Sequence, residues 1–231
     1  MMRLDKFLAD QGCGTRSEVK KSIRRHEVSV NGSTDVKADQ HIDPENDVIT
    51  FLGEEIVYQK YVYLMLHKPA GCISATSGNA ETVMDYIAEP YKDLFPCGRL
   101  DKDTEGLLLI TNDGPLAHEL LSPKKGIEKE YFVRYAKDLS PADIEKAGQG
   151  ITYQKETYKP ARITEVSDRS CHIIITEGKF HEIKQIFTAL GNEVLYLKRL
   201  RMKNLKLDEN LAPGEYRYLT EEEINDLREG C

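Results

Sequence analysis

The sequence predicts an α+β protein in two parts, a small mixed α/β module over residues 1–60 and a larger α+β body over residues 61–231. Three observations carry the prediction. Segments with helical and with strand periodicity are interspersed along the 231 residues. They do not repeat the βαβ alternation of a doubly wound fold. The charge also changes sign early in the chain: residues 1–31 hold seven basic residues against four acids, whereas residues 38–56 hold six acids and no lysine or arginine.

In the module, "RLDKFLADQGCG" sets Leu4, Phe7, Leu8 and Gln11 at helical spacing and stops at glycine. Thr15 and Glu18 have the spacing of a capping box for a second helix, with Val19 and Ile23 on one side. Arg16, Lys20 and Arg24 recur every four residues and share another face. "EVSVNGS" alternates and runs into Asn-Gly, which predicts a hairpin. The acidic segment that follows reads as a linker permitting independent motion of the two parts.

The body opens with "YVYLMLHKPAG", a buried strand stopped by Pro69 and Gly71. "AETVMDYI" reads as a short helix, "GLLLIT" as a strand and "NDGP" as a turn. "LAHELLSP" is a helix entered at Pro115 and ended before Pro123. "KEYFVRYA", "ARITEV" and "CHIIITEG" read as strands. "HEIKQIFTALGNE" is a helix with Ile183, Ile186, Phe187 and Leu190 inward. "EVLYLKRLRMKNLKL" is strand material carrying five basic residues, and "LTEEEINDLRE" a capped C-terminal helix.

Composition narrows the function classes. At 40% hydrophobic and 31% charged, the chain suits a globular protein with a substantial core. No apolar run approaches the ~20 residues of a membrane span, and acids interrupt "MMRLDKFLADQG" where a signal peptide is apolar. No membrane association and a cytoplasmic location are expected. The net charge of −7 argues against indiscriminate coating of nucleic acid. Cys13, Cys72, Cys97, Cys171 and Cys231 are odd in number and widely spaced, so neither disulfides nor structural zinc are expected. Cys97 reads as a small buried side chain, without a catalytic role.

The chemistry concentrates in "GRLDKDTEGLLLITNDG", where Asp101, Asp103 and Glu105 precede the most apolar run in the chain. A metal site on Asp101 and Asp103 is weakly supported, because no further ligands stand nearby. Asp103, followed by Thr104 and Gly106, reads as turn chemistry. Asp101 lies where a carboxylate is partly desolvated, so it needs a basic partner to remain an anion. Arg99 and "EGKFHEIKQIF" both offer one, and spacing does not choose between them.

Taken in order, "RLDKFLA" with "VNG", "LHKPAG", "GRLDKDTEGLLLITNDG", "KEY", "EGKFHEIKQIF" and "LAPGEYRYLTEEEI" resemble the Rsu-type pseudouridine synthases, which isomerise uridine in ribosomal RNA. The resemblance spans essentially the whole chain. It implies an S4-like RNA-binding module before a mixed, mainly antiparallel catalytic domain. By it Asp101 is the catalytic aspartate, Tyr131 the tyrosine that stacks on the target base, and Lys184 the basic partner of the aspartate. Two positions depart from the common pattern: His67 stands where asparagine is usual, and Lys184 where many relatives have arginine, a point charge in place of a bidentate fork.

The isomerisation implies no cofactor and no metal. The implied partner is ribosomal RNA, as 16S rRNA or an assembling small subunit, and the chain is expected to be a monomer. Arg3, Lys6, Arg16, Lys20, Lys21, Arg24 and Arg25 of the module are the first set of candidate RNA contacts. Arg99 and the cluster Lys198, Arg199, Arg201, Lys203 and Lys206 form the second. That last cluster is equally readable as solvated protection of a sheet edge. A 23S rRNA target, a non-catalytic S4-type RNA-binding assembly protein and, more remotely, a metal-dependent nuclease stay open at this point.

Overall fold

The computed structural model describes residues 1–91 and 93–229; Cys231 lies outside them. The chain divides into two compact units, Met1–Val62 with Ala88–Leu94, and Tyr63–Ile87 with Phe95–Cys231. Among the described residues no helix is long and apolar enough to cross a membrane.

The first unit comprises β1 (Met2–Arg3), α1 (Leu4–Asp10), α2 (Arg16–Arg24), β2 (Val28–Val30), β3 (His41–Ile42), β4 (Ile49–Phe51) and β5 (Glu54–Glu55). The capping box forms, with the Glu18 carboxylate accepting from Thr15 N at 2.8 Å and the Thr15 hydroxyl accepting from Glu18 N. Leu4, Phe7 and Leu8 of α1 and Val19 and Ile23 of α2 pack into one core with Val28, Ile42 and Ile49. Asn31 and Gly32 have φ of 49° and 82°, the pair of positive values that a type I′ turn needs.

Two expectations are corrected in this unit. The Asn-Gly turn is followed by a single bridge, Val30 to Ser33, and β2 takes β4 as its antiparallel partner. The acidic segment is therefore not a linker: it supplies β3, β4 and β5. Its acids stay outside while Ile42 and Ile49 enter the core, and Asn31 ties it down, donating to Asp47 and accepting from Val48 N, both at 2.9 Å.

The second unit contains β6 (Tyr63–Lys68), β7 (Phe95–Pro96), β8 (Glu105–Thr111), α3 (Gly114–Leu121), β9 (Lys129–Tyr135), α4 (Pro141–Gln149), β10 (Ile151–Tyr153), β11 (Glu156–Tyr158), β12 (Arg162–Ser167) and β13 (Ser170–Ile175). It continues through α5 (Glu182–Ala189), β14 (Val194–Met202), β15 (Leu205–Lys206), β16 (Tyr216–Tyr218) and α6 (Glu221–Arg228). "AETVMDYI" forms a 3₁₀ turn over Val83–Tyr86. Helix α4 and the β10–β11 hairpin escape a reading by periodicity, because "PADIEKAGQG" has few apolar residues and the hairpin strands are three residues long.

The main sheet runs β12-β13-β9-β14-β8-β6-β16, with β15 beside β14 and β7 beside β8. Every pair is antiparallel except β14 with β8, which are parallel at Lys198 to Glu105 and Arg199 to Gly106. At that junction Gly106 is required. A Cβ there would stand 2.2 Å from the Arg199 carbonyl oxygen, and its φ of 106° suits glycine. The basic strand β14 is central, between β9 and β8, so its cations do not protect a sheet edge.

Candidate active site

The Asp101 turn occupies the connection between β7 and β8, and the end of β6 holds it. Thr104 N donates to Asp101 O at 3.1 Å, and Gly71 N donates to Lys102 O at 2.7 Å. The Ser74 hydroxyl clamps Leu100 from both sides, donating to its carbonyl and accepting from its N–H at 3.0 Å each. Lys68, fully buried, donates to Pro69 O at 2.9 Å and Thr104 O at 2.8 Å. Burial lowers its pKa, and these carbonyls solvate the ammonium in place of water. "LHKPAG" is thus a strut for the aspartate turn.

The three acids have separate partners. Asp101 faces a pocket lined by Thr104, Tyr131, Ile175, Lys184 and Leu197. Lys184, on the first turn of α5, reaches Asp101 at 3.0 Å and Asp103 at 2.6 Å. Asp103 is therefore more than a turn residue, which corrects the expectation for it. Glu105, at the head of β8, accepts from the Tyr196 hydroxyl at 2.6 Å. Burial opposes the charge on Lys184, but its hydrogen bonds to Asp103 and Asp101 outweigh that and raise its pKa. Burial of Asp103 is likewise outweighed by Lys184, which lowers the carboxyl. The point charge that replaces an arginine fork is shared between two carboxylates.

His181 is a further site residue, unmarked by sequence reasoning. Its φ of 52° is left-handed, and it places Nε2 3.6 Å from Asp101. A left-handed histidine just before a helix leaves no trace in apolar periodicity; the only available signal was its place in "EGKFHEIKQIF".

Tyr131 projects from β9, 6% exposed, onto the pocket wall. Burial raises its pKa, and the adjacent Arg199 guanidinium partly offsets this, so the side chain is a neutral phenol near pH 7. Arg199 is 1% exposed and donates through Nε to Leu107 O at 2.7 Å. This corrects its assignment as an RNA contact: the guanidinium lies inside the sheet behind Tyr131, out of reach of a backbone phosphate. The Thr104 hydroxyl, also buried, has no hydrogen-bond partner among the described residues and lines the same pocket.

The remaining cations divide by partner. Arg201 is bound to Glu130 at 2.8 Å and Glu128 at 3.0 Å, which commits it to the sheet. Lys198 is half-buried, Lys206 exposed, and Arg99 exposed at the rim of the Asp101 pocket. In the first unit Arg3 pairs with Asp5 at 3.0 Å, Lys6 with Asp10 at 2.5 Å, Lys20 with Asp5 at 3.6 Å and Arg25 with Glu27 at 3.9 Å. Arg16, Lys21 and Arg24 of α2 are exposed, and among the described residues no acid lies within ion-pair distance of them.

A carboxylate beside a half-buried lysine, below an aromatic wall, can attack or deprotonate a flat, uncharged ring-bearing substrate while shielding it from water. Comparisons with known proteins agree in kind. The sequence profile described as RNA pseudouridylate synthase matches residues 62–189, and the one described as S4 domain matches residues 2–49. An uncharacterized RNA pseudouridine synthase of Bacillus subtilis is 46% identical, with 99% of each chain covered. The ribosomal small subunit pseudouridine synthase A of Vibrio parahaemolyticus is 39% identical, covering 98% of this chain and 99% of its own. A crystal structure of a pseudouridylate synthase aligns with a TM-score of 0.70 at 37% identity, over 98% of this chain and 100% of the other.

Proposed function

The chain belongs to the RNA pseudouridylate synthase family and carries an S4 domain at its N-terminus, and from there we propose that it converts a specific uridine of 16S rRNA to pseudouridine. Similarity along the full length to a small-subunit enzyme supports the choice of RNA. The observation that carries the reaction is Asp101, held 3.0 Å from Lys184 in a pocket walled by Tyr131.

Isomerisation breaks the bond from ribose C1′ to N1, turns the uracil and joins C5 to C1′. A proton leaves C5 and N1 gains one, so no redox partner or group donor enters the balance. Asp101 acts as the anion, either by attacking the nucleoside or by deprotonating the ribose; both uses need the carboxylate at this position. Lys184, 3.0 Å away, sets a positive charge beside that carboxylate. Tyr131, a phenol rather than a phenolate, serves as a flat face that retains the cleaved uracil, and it is a poor base for the C5 proton.

A uridine within folded RNA reaches this pocket only when flipped out, at roughly a few kcal/mol. Cationic α2, with Arg16, Lys21 and Arg24 exposed and without a direct ion pair among the described residues, supplies phosphate contacts that hold the RNA without selecting a base. The test is a pseudouridine map of 16S and 23S rRNA, free and in assembling subunits, after exposure to wild-type protein or Asp101→Asn. A site on 16S rRNA made only by the wild type is expected, with RNA binding retained in the variant. A site on 23S rRNA alone reassigns the target, and no site on either leaves a non-catalytic S4-type RNA-binding protein.

A further inference from the structure

Beside the catalytic pocket, the β10–β11 hairpin and the segment before α5 border a second hollow of about 510 Å³, whose lining includes Gln154, Glu156, Tyr158, Lys179, Phe180 and Gln185. It does not contain Asp101, and the isomerisation makes no use of it. The two spaces nevertheless share a wall. Lys179 lines both this hollow and the pocket of Asp101 and Tyr131, and Phe180 lines both this hollow and a recess that itself reaches Asp101.

Phe180 is the unusual feature. Its side chain is 80% exposed, against the ordinary tendency of phenylalanine to be buried. The ring is stacked on the His181 imidazole, with centroids 3.7 Å apart and planes 21° from parallel. His181 in turn places Nε2 3.6 Å from Asp101. The backbone is fixed on both sides of the ring: Lys179 N donates to Glu182 at 2.9 Å, Lys179 Nζ donates to Thr157 O at 2.6 Å, and Gln185 N donates to His181 O at 2.9 Å. An exposed ring already stacked on one face has its other face available for a further flat group. Around it stand the amides of Gln154 and Gln185, which both donate and accept hydrogen bonds, and Lys179, whose ammonium pairs with Glu156 at 3.4 Å.

We propose that this hollow is a subsite for an unpaired base adjacent to the target uridine, stacking on Phe180 as the uridine enters the Asp101 pocket. The assignment rests on the proposed pseudouridine synthase reaction. It gives Phe180 a positioning role: by holding the neighbouring nucleotide out of its helical stack, it keeps the flipped uridine from returning.

The test uses short unpaired RNAs spanning the uridine modified by the wild-type protein: one intact, one lacking the base on the 5′ side, one lacking that on the 3′ side. Phe180→Ala is expected to lose roughly tenfold in kcat/KM on the intact RNA, mainly through KM, as one lost base–aromatic stack implies. Phe180→Tyr should restore it and Phe180→Leu should not. Wild type should lose about as much on one of the abasic RNAs, and Phe180→Ala should lose nothing further there. Equal activity of Phe180→Ala and wild type on the intact RNA, or an abasic penalty unchanged by Phe180→Ala, overturns the subsite alone. Absence of pseudouridine with wild-type protein on every rRNA overturns the reaction, and the subsite with it.

Discussion

Asp101, Asp103 and Glu105 stand within five residues of one another, yet each meets a different environment: the pocket, the exposed side of Lys184, and the Tyr196 hydroxyl. Lys184 joins the first two. Lys184→Met should cost roughly tenfold or more in turnover with the fold retained, since it removes the preorganised cation 3.0 Å from Asp101. Lys184→Arg should recover part of it, and near-normal turnover in Lys184→Met would refute the pairing. Lys129, two residues before Tyr131, gives a pH prediction. Burial, with Arg199 nearby, lowers its pKa from 10.5 to about 8, although Nζ donates to Glu177 O at 2.8 Å. The folded protein therefore releases this proton before the unfolded chain does, so the unfolded chain binds more protons between those values and stability rises with pH. Against Lys129→Met, wild type should gain stability from about pH 8 towards 10.5 in denaturant titrations; a pH-independent difference would count against a charged lysine inside the sheet.

At the scale of elements, helices and strands present functional groups by simple periodicity. Alternation on β9 buries Lys129, Tyr131, Val133 and Tyr135 and turns Glu130, Phe132 and Arg134 to the other face. Helix α2 does the same with its own period, burying Val19 and Ile23 and exposing Arg16 and Arg24 about two turns apart. Because neither arginine forms an ion pair within 4 Å among the described residues whereas Lys20 shares Asp5 with Arg3, they are the better test of phosphate contact. Replacing both with alanine should weaken binding to rRNA and lower the slope of log affinity against log salt by about 2. An unchanged slope would make the α2 cations a solvated face.

The whole molecule contains two separately assembled cores, one under α1 and α2 and one around the large sheet. Phe7, 1% exposed, belongs to the first. Phe7→Ala should destabilise that unit by roughly 3–5 kcal/mol, speeding amide exchange across residues 1–62 while β6 and β8 stay protected; exchange rising equally in both would mean a single cooperative unit. Against this organisation, the division of information is clear. Periodicity, capping boxes and turn dipeptides are local, so the sequence alone determined α1, α2, α3, α5, α6 and the longer strands β6, β8, β9, β12, β13 and β14, and the string around Asp101 marked the candidate site. Local patterns do not specify which distant strand fills a ladder. For that reason β2 pairs with β4 rather than with a strand following its own turn, and β14 is central rather than an edge. The same limit applies to charge. Arg199 and Arg201 have the same sequence signature as a surface cluster, but tertiary packing buries one behind Tyr131 and ties the other to Glu128 and Glu130. Only the folded chain brings Lys184 and His181 to Asp101, because contacts between residues some 80 positions apart depend on sheet order and not on any pattern within a segment.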